Sequence, residues 1–154
     1  DVIINAMNLT RIKGSPYYNE NYFSYDYLSR AKKGLIFINV TRGEIAPEPV
    51  LLKLYDQGVL GGIGLDVFSN EHDFSLAVQK GQVETVNNRV AAALVLLQMA
   101  ESRMGNIYVQ PHQGFNSDLA VESKAADTIS HMISWYQNGK KRFDEQLPYY
   151  QDVI

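Results

Sequence analysis

Residues 35–68 have the sequence LIFINVTRGEIAPEPVLLKLYDQGVLGGIGLDVF, and this stretch decides the fold. Its two apolar runs, residues 35–40 and 63–68, predict buried strands. Between them, an amphipathic segment begins near Pro47 and ends before Gly58, which predicts a helix. A strand, a helix and a strand in this order are typical of a parallel sheet with right-handed crossovers. The stretch therefore predicts an α/β fold.

The sequence on both sides continues this alternation. Apolar runs predict two further strands, at residues 1–6 and 107–109, and helical spacing is found in residues 22–32 and through most of residues 72–104. We therefore expect a parallel sheet of four strands with flanking helices.

The C-terminal part predicts one long helix. Asn116 or Ser117 is suited to cap it, and it runs to about Asn138. We accordingly divide the chain into residues 1–115, with a helical insert at about 72–104, and residues 116–154, a long helix and a tail.

Composition and charge argue against several classes of protein. The 154 residues carry a net charge of −3 and contain no dominant basic block, so nucleic acid is not an expected partner. Cysteine is absent, which excludes disulfides and thiolate chemistry and leaves the compartment open, with a cytoplasmic location as the simpler expectation. No apolar run reaches the ~18 residues of a membrane helix, so no membrane partner is expected. The chain has no starting Met, and we expect it to be part of a longer protein.

Ionisable side chains follow three of the four predicted strands. Ligands of open parallel sheets bind beyond the carboxyl ends of the strands. Arg42 follows the second strand, Asp66 and Glu71 lie in and after the third, and His112 follows the fourth. Arginine can hold a carboxylate by two hydrogen bonds, histidine exchanges protons near neutral pH, and a glutamate can orient the histidine ring. Considered one at a time, each of these residues is more simply interpreted as a surface or structural residue. Together at one edge, an arginine, a glutamate and a histidine form a recognisable catalytic set.

Two other motifs were considered as binding sites and do not predict one. Residues 61–64 (GGIG) are glycine-rich, but they run into a strand rather than from a strand into a helix, so they do not predict a phosphate-binding loop. Glu71, His72 and His112 lack the spacing of a metal site, and no metal is expected.

An ordered series of motifs resembles the NAD-dependent D-2-hydroxyacid dehydrogenases, and their D-lactate dehydrogenase branch in particular. The motifs are residues 39–45 (NVTRGEI), residues 54–68 (LYDQGVLGGIGLDVF), Glu71 and residues 111–114 (PHQG). That branch also has a long insert between the glutamate and the histidine, and a phenylalanine shortly after the histidine. The resemblance implies hydride transfer between NAD(H) and a D-2-hydroxy or 2-keto acid, with D-lactate and pyruvate as the expected pair.

The resemblance also implies roles for individual residues. Arg42 would bind the substrate carboxylate, His112 would be the general acid and base in contact with the substrate, and Glu71 would be its carboxylate partner. Phe115 would line the substrate site. Cofactor contacts are implied for Met7, Asn8, Val40, Thr41, Asp66 and Gly114, of which Asp66 would position the nicotinamide carboxamide.

This chain departs from the family pattern in several places. Residues 6–8 (AMN) replace the common His-x-Pro, the loop at residues 11–21 is longer than usual, and the 41-residue separation of Glu71 from His112 exceeds that of common members. The substrate domain and the Gly-x-Gly-x-x-Gly turn of the family are expected before Asp1. Residues 1–115 would then be the C-terminal half of an NAD-binding domain, which implies a partial Rossmann-like, doubly wound parallel sheet with flanking helices.

The implied partners are a small 2-hydroxy or 2-keto acid, the missing N-terminal part of the same protein, and a second copy in a homodimer. Two alternatives stay open. One is a non-catalytic, NAD-sensing protein similar to the related corepressors, which retain the same arginine, glutamate and histidine. The other is a fragment that is inactive on its own.

Overall fold

The structure is a computed structural model that describes residues 1–80, 87–114 and 116–139, with only the backbone of Lys80. Its elements in chain order are β1 (Val2–Asn5), α1 (Tyr25–Leu28), β2 (Leu35–Asn39), a 3-10 helix (Gly43–Ile45), α2 (Glu48–Asp56), β3 (Leu60–Leu65), α3 (Glu71–Lys80), α4 (Asn88–Glu101), β4 (Ile107–Val109) and α5 (Asp118–Gln137). The chain forms two compact units, Asp1–Gln113 and Gly114–Ile154.

The four strands form one sheet in the order β1-β2-β3-β4, and every neighbouring pair is parallel. Their carboxyl ends therefore lie along a single edge of the sheet, which we call the carboxyl edge. The predicted Rossmann-like parallel sheet with flanking helices is confirmed, and the described part of the first unit is a portion of that fold.

One face of the sheet is packed against helices. Ile3, Phe37, Ile63 and Ile107 lie side by side across the four strands and belong to or contact the buried core. The helical side chains of this core include Leu28, Leu51, Leu54, Val90, Ala93 and Leu96. Burial of this apolar surface is the main force that holds the helices on the sheet.

The opposite face of the sheet is apolar and largely uncovered. Ile4, Ile38, Gly64 and Tyr108 occupy one cross-strand row on this face. Ile4 is 60% exposed and Tyr108 is 64% exposed. In the described part of the first unit, the single buried core thus lies on the helix-packed face.

The first helix is shorter than the sequence predicts. Helical spacing predicted a helix over residues 22–32, but α1 has only four residues. Phe23 donates its backbone N–H to the Ile45 carbonyl at 3.0 Å, so tertiary pairing keeps this residue out of the helix. Ser24 then caps the helix by accepting a hydrogen bond from the Tyr27 N–H.

The third strand begins and ends three residues earlier than predicted. β3 stops at Leu65, so Asp66 follows the strand rather than interrupting it, contrary to the prediction for residues 63–68. The earlier start is allowed by Gly62, because a Cβ at that position would lie 2.4 Å from Asn106 Nδ2. The glycine-rich run thus permits close packing within the sheet.

The predicted insert at residues 72–104 contains two helices, α3 and α4. Asn87 begins α4 as its N-cap, since its side-chain oxygen accepts hydrogen bonds of 3.0 Å from the N–H groups of Arg89 and Val90. Residues 81–86 lie outside the described residues.

The described part of the second unit is dominated by α5. Ser117 caps it by accepting a 3.2 Å hydrogen bond from the Ala120 N–H, as predicted. The predicted tail, residues 140–154, lies outside the described residues. In residues 1–80, 87–114 and 116–139, no helix is both long and apolar enough to cross a bilayer.

Candidate active site

His112 and Glu71 meet at the carboxyl edge although 41 residues separate them in sequence. The Nδ1 atom of His112 lies 3.0 Å from each of the two Glu71 carboxylate oxygens. β4 lies beside β3, so the loop after β4 emerges next to the segment that leads from β3 into α3. The contact that the sequence predicted is therefore confirmed.

The backbone at this pair adopts an unusual conformation. Asn70, directly before Glu71, and His112 itself both have φ of 54°, in the left-handed region. For a residue with a side chain this conformation costs about 1–2 kcal/mol, and such residues cluster at functional sites. His112 is held there by a 2.7 Å hydrogen bond from its N–H to the Asp66 carbonyl.

Asp66 connects the ends of three strands. Its backbone N–H donates to the Asn39 carbonyl at 3.0 Å. Its side chain is buried, and Oδ1 accepts a 2.6 Å hydrogen bond from the Gln113 N–H. The N–H donor offsets part of the cost of burying this carboxylate. Asp66 thereby fixes the loop that carries His112.

Arg42 lies in an exposed loop after β2. Its Nη1 donates to the Thr41 carbonyl at 2.7 Å. The next residue, Gly43, is packed directly on the segment that leads to Glu71, since a Cβ there would lie 2.0 Å from the Phe68 carbonyl carbon and the Ser69 nitrogen. The loop of Arg42 and the segment of Glu71 are thus in backbone contact, which no larger residue at position 43 would allow.

The predicted cofactor residues at the ends of β1 and β2 lie at the carboxyl edge: Met7, Asn8, Val40 and Thr41. Val40 is 46% exposed. The Asn8 carbonyl accepts a 2.7 Å hydrogen bond from the Asn19 side chain, which ties the long loop to this edge. Gly114 is the first residue of the second unit, and Phe115 lies outside the described residues.

A buried pair of amides, Asn5 and Asn39, was not found from the sequence. Asn5 Nδ2 donates to Asn39 Oδ1 at 2.9 Å and to Thr41 Oγ1 at 3.0 Å, while Asn39 Nδ2 donates to the Arg42 carbonyl at 3.0 Å. The pair joins the ends of β1 and β2 beneath the Arg42 loop. The sequence feature that could have indicated this pair is a polar residue at the end of each of two apolar strands.

Glu48, in the first turn of α2, was also not found. It is 1% exposed, and its Oε1 accepts a 2.5 Å hydrogen bond from the Ser69 N–H. Burial raises the pKa of the Glu48 carboxyl, while the hydrogen bonds from Ser69 and the charge of Arg89 act in the opposite direction. A glutamate in a first helical turn is ordinary in sequence, so no pattern distinguished it.

An open parallel sheet that brings ionisable side chains together at its carboxyl edge is typical of the nucleotide-binding α/β class. Residues 1–114 match the family model described as D-isomer specific 2-hydroxyacid dehydrogenase, NAD binding domain. The match covers most of the chain, and the chain therefore belongs to this family, whose domain uses NAD as its cofactor.

Curated relatives carry consistent names. The chain is 30% identical over 114 residues to a D-specific alpha-keto acid dehydrogenase of Enterococcus faecium, covering 73% of this chain and 32% of the relative. It is 26% identical over 117 residues to a D-lactate dehydrogenase of Staphylococcus epidermidis, covering 76% and 33%. The chain thus spans about one third of the length of these relatives.

Solved structures share the fold. A D-2-hydroxyisocaproate dehydrogenase superimposes with a TM-score of 0.70 at 22% identity, covering 93% of this chain and 39% of that one. A D-lactate dehydrogenase of Aquifex aeolicus, complexed with NAD and lactic acid, gives 0.69 at 22% identity, covering 91% and 38%.

The residues at the carboxyl edge fit the nicotinamide end of NAD. A groove of about 270 Å³ runs along the uncovered face of the sheet past Ile38 and Tyr108, and it reaches Val40 and Asp66 at the carboxyl edge. Apolar walls suit a planar ring, and a carboxylate can accept a hydrogen bond from an amide. The 154 residues contain no Gly-x-Gly-x-x-Gly turn for the pyrophosphate.

Proposed function

We propose that this chain is the C-terminal part of an NAD-dependent oxidoreductase that transfers hydride between NAD(H) and a D-2-hydroxy or 2-keto acid. The observation that carries the proposal is the 3.0 Å contact of His112 with Glu71 at the carboxyl edge. D-lactate and pyruvate are the proposed substrates, in keeping with the names of several relatives.

His112 is the proposed general acid and base. Glu71 meets the ring at Nδ1, which fixes the ring orientation and assigns Nε2 to the proton of the substrate oxygen. In the direction of reduction, the protonated ring donates to the keto oxygen as that oxygen gains charge. The carboxylate of Glu71 holds the ring in the orientation that this transfer requires.

Arg42 is the proposed anchor of the substrate carboxylate. Its guanidinium can form two parallel hydrogen bonds with a carboxylate, which sets the orientation as well as the position of the acid. Bound NADH supplies the hydride in reduction. Asp66, Val40 and Thr41 are proposed to hold the nicotinamide end, together with Met7, Asn8 and Gly114, while Phe115 is proposed to line the substrate site.

Other parts of the protein complete this proposal. The N-terminal part would supply the pyrophosphate turn and the substrate domain, with residues 1–115 as the second half of the NAD-binding domain and residues 116–154 as a helix and tail. We further propose a homodimer in the cytoplasm.

The test is turnover by the full-length protein with pyruvate and NADH, together with chiral analysis of the product. We expect D-lactate, and we expect His112→Gln to abolish turnover while NADH still binds. A wild-type protein that binds NADH with His112 and Glu71 intact but turns over no 2-keto acid would contradict the proposal and favour the NAD-sensing alternative.

A further inference from the structure

We propose that Glu48 is a positioning residue that holds residues 67–71 in place, so that Glu71 meets His112. This inference rests on the proposed function, because it assigns Glu48 a role through the acid–base pair. Glu48 itself lies beneath the segment that carries Glu71.

The first support is the hydrogen bond between α2 and this segment. The Ser69 N–H donates to Glu48 Oε1, and both residues are buried, at 0% and 1% exposure. In the part of the chain that the structure describes, Glu48 Oε2 is buried without a hydrogen-bond partner. A buried carboxylate with an unsatisfied oxygen is costly for the fold, and such groups need a specific explanation.

The second support is a further anchor at Ser69. Arg89, at the start of α4, donates from Nη1 to the Ser69 hydroxyl at 3.0 Å and from Nη2 to Asn21 Oδ1 at 2.6 Å. Ser69 is therefore held through its backbone by α2 and through its side chain by α4. Its position is defined by two helices.

The third support is the short and constrained connection from Ser69 to Glu71. The single residue between them, Asn70, has a left-handed backbone, and the Phe68 N–H donates to Glu71 Oε1 at 3.4 Å. Phe68 is also stacked on Phe74, with ring centroids 4.3 Å apart. A displacement of Ser69 is therefore passed on to the Glu71 carboxylate.

The test compares Glu48→Ala with Glu48→Gln in the full-length enzyme. Glu48→Ala removes the acceptor of the Ser69 N–H, and we expect kcat for pyruvate reduction to fall about tenfold while KM for pyruvate stays within about twofold. Gly43 touches Ser69, but the Arg42 carbonyl keeps its hydrogen bond from the Asn39 side chain, so we expect KM to change less than kcat. Glu48→Gln retains an oxygen acceptor, and we expect it to restore kcat to within about twofold of wild type.

A matched control separates positioning from stability. Leu51 is fully buried in the same helix, and Leu51→Ala should lower the melting temperature while it leaves kcat within about twofold. Amide hydrogen exchange at Ser69 gives a readout that needs no turnover. We expect exchange to be at least about tenfold faster in Glu48→Ala than in Leu51→Ala or Glu48→Gln.

Several results would overturn the inference: a kcat in Glu48→Ala no lower than in Leu51→Ala, a Glu48→Gln enzyme as impaired as Glu48→Ala, or unchanged exchange at Ser69. If Glu48→Ala does not fold, Arg89→Met removes the second anchor, and an unchanged kcat in that variant would also overturn it. If the wild-type enzyme has no turnover, the proposed function fails, whereas the Ser69 exchange rates still decide whether Glu48 holds this segment.

Discussion

Replacing Glu71 with Gln tests the proposed acid–base pair of His112 and Glu71, because it removes the charge and keeps the size of the side chain. In the structure His112 Nδ1 lies 3.0 Å from both carboxylate oxygens. A hydrogen bond to a charged group contributes about 1.5–3 kcal/mol, against about 1 kcal/mol for a neutral one. The two side chains are 36% and 43% exposed, so solvent screening places the loss near the lower end, at about 1 kcal/mol. We therefore expect kcat/KM to fall about fivefold.

The assay is steady-state reduction of pyruvate by the full-length enzyme, followed by the consumption of NADH. Glu44→Gln is the matched control, because Glu44 forms an ion pair of the same charge type with Arg11 at 2.6 Å. The control should stay within about twofold of wild type, as is usual for exposed ion pairs. Wild-type kcat/KM in Glu71→Gln would show that the carboxylate does not assist His112.

Three further outcomes are expected. Arg42→Lys should lower kcat/KM more than tenfold, because lysine cannot form the bidentate contact with the substrate carboxylate and we expect its loss to exceed about 1.4 kcal/mol. A kcat/KM equal to that of wild type would show that Arg42 does not bind the substrate. The 154-residue chain alone should neither turn over substrate nor bind NADH tightly, because it lacks the pyrophosphate turn; isothermal titration with a low-micromolar Kd would contradict this. Burial raises the pKa of the Glu48 carboxyl above its ordinary value of 4.5, because the folded protein favours the protonated form. The stabilisation by the protonated carboxyl is fully present below pH 4.5, and it is lost as the pH rises through the folded-state pKa. The glutamine of Glu48→Gln does not titrate, so the Tm of this variant minus that of wild type should increase as the pH rises through the same range. A Tm difference that does not change with pH would contradict the raised pKa of Glu48.

The features that follow from local pattern or strand order were predictable. The apolar run that forms β2 and the capping residue Ser117 are recognisable without any tertiary partner. The contact of His112 with Glu71 was predictable for a different reason: the resemblance pairs the two residues, and neighbouring parallel strands bring their carboxyl ends together.

The features that depend on distant partners were not predictable. Phe23 has a helical pattern, yet its N–H pairs with Ile45, so the helix starts later. Asn5 has no local reason to be buried until Asn39 is placed beside it by the strand register. Glu48 looks like an ordinary residue of a first helical turn until Ser69 is packed above it. In each case a tertiary hydrogen bond decides the outcome, and its partner is 20 or more residues away.

The consecutive strand order has a consequence for how the chain is made. A ribosome releases the N-terminus first, and each new strand of this sheet pairs with the strand synthesised before it: Ile38 with Ile4, Gly64 with Ile38, and Tyr108 with Gly64. The sheet can thus grow in one direction during synthesis without waiting for a later strand to insert. The contact of His112 with Glu71 closes only after the last strand is in place. A chain terminated before β4 would lack His112 and therefore the contact with Glu71.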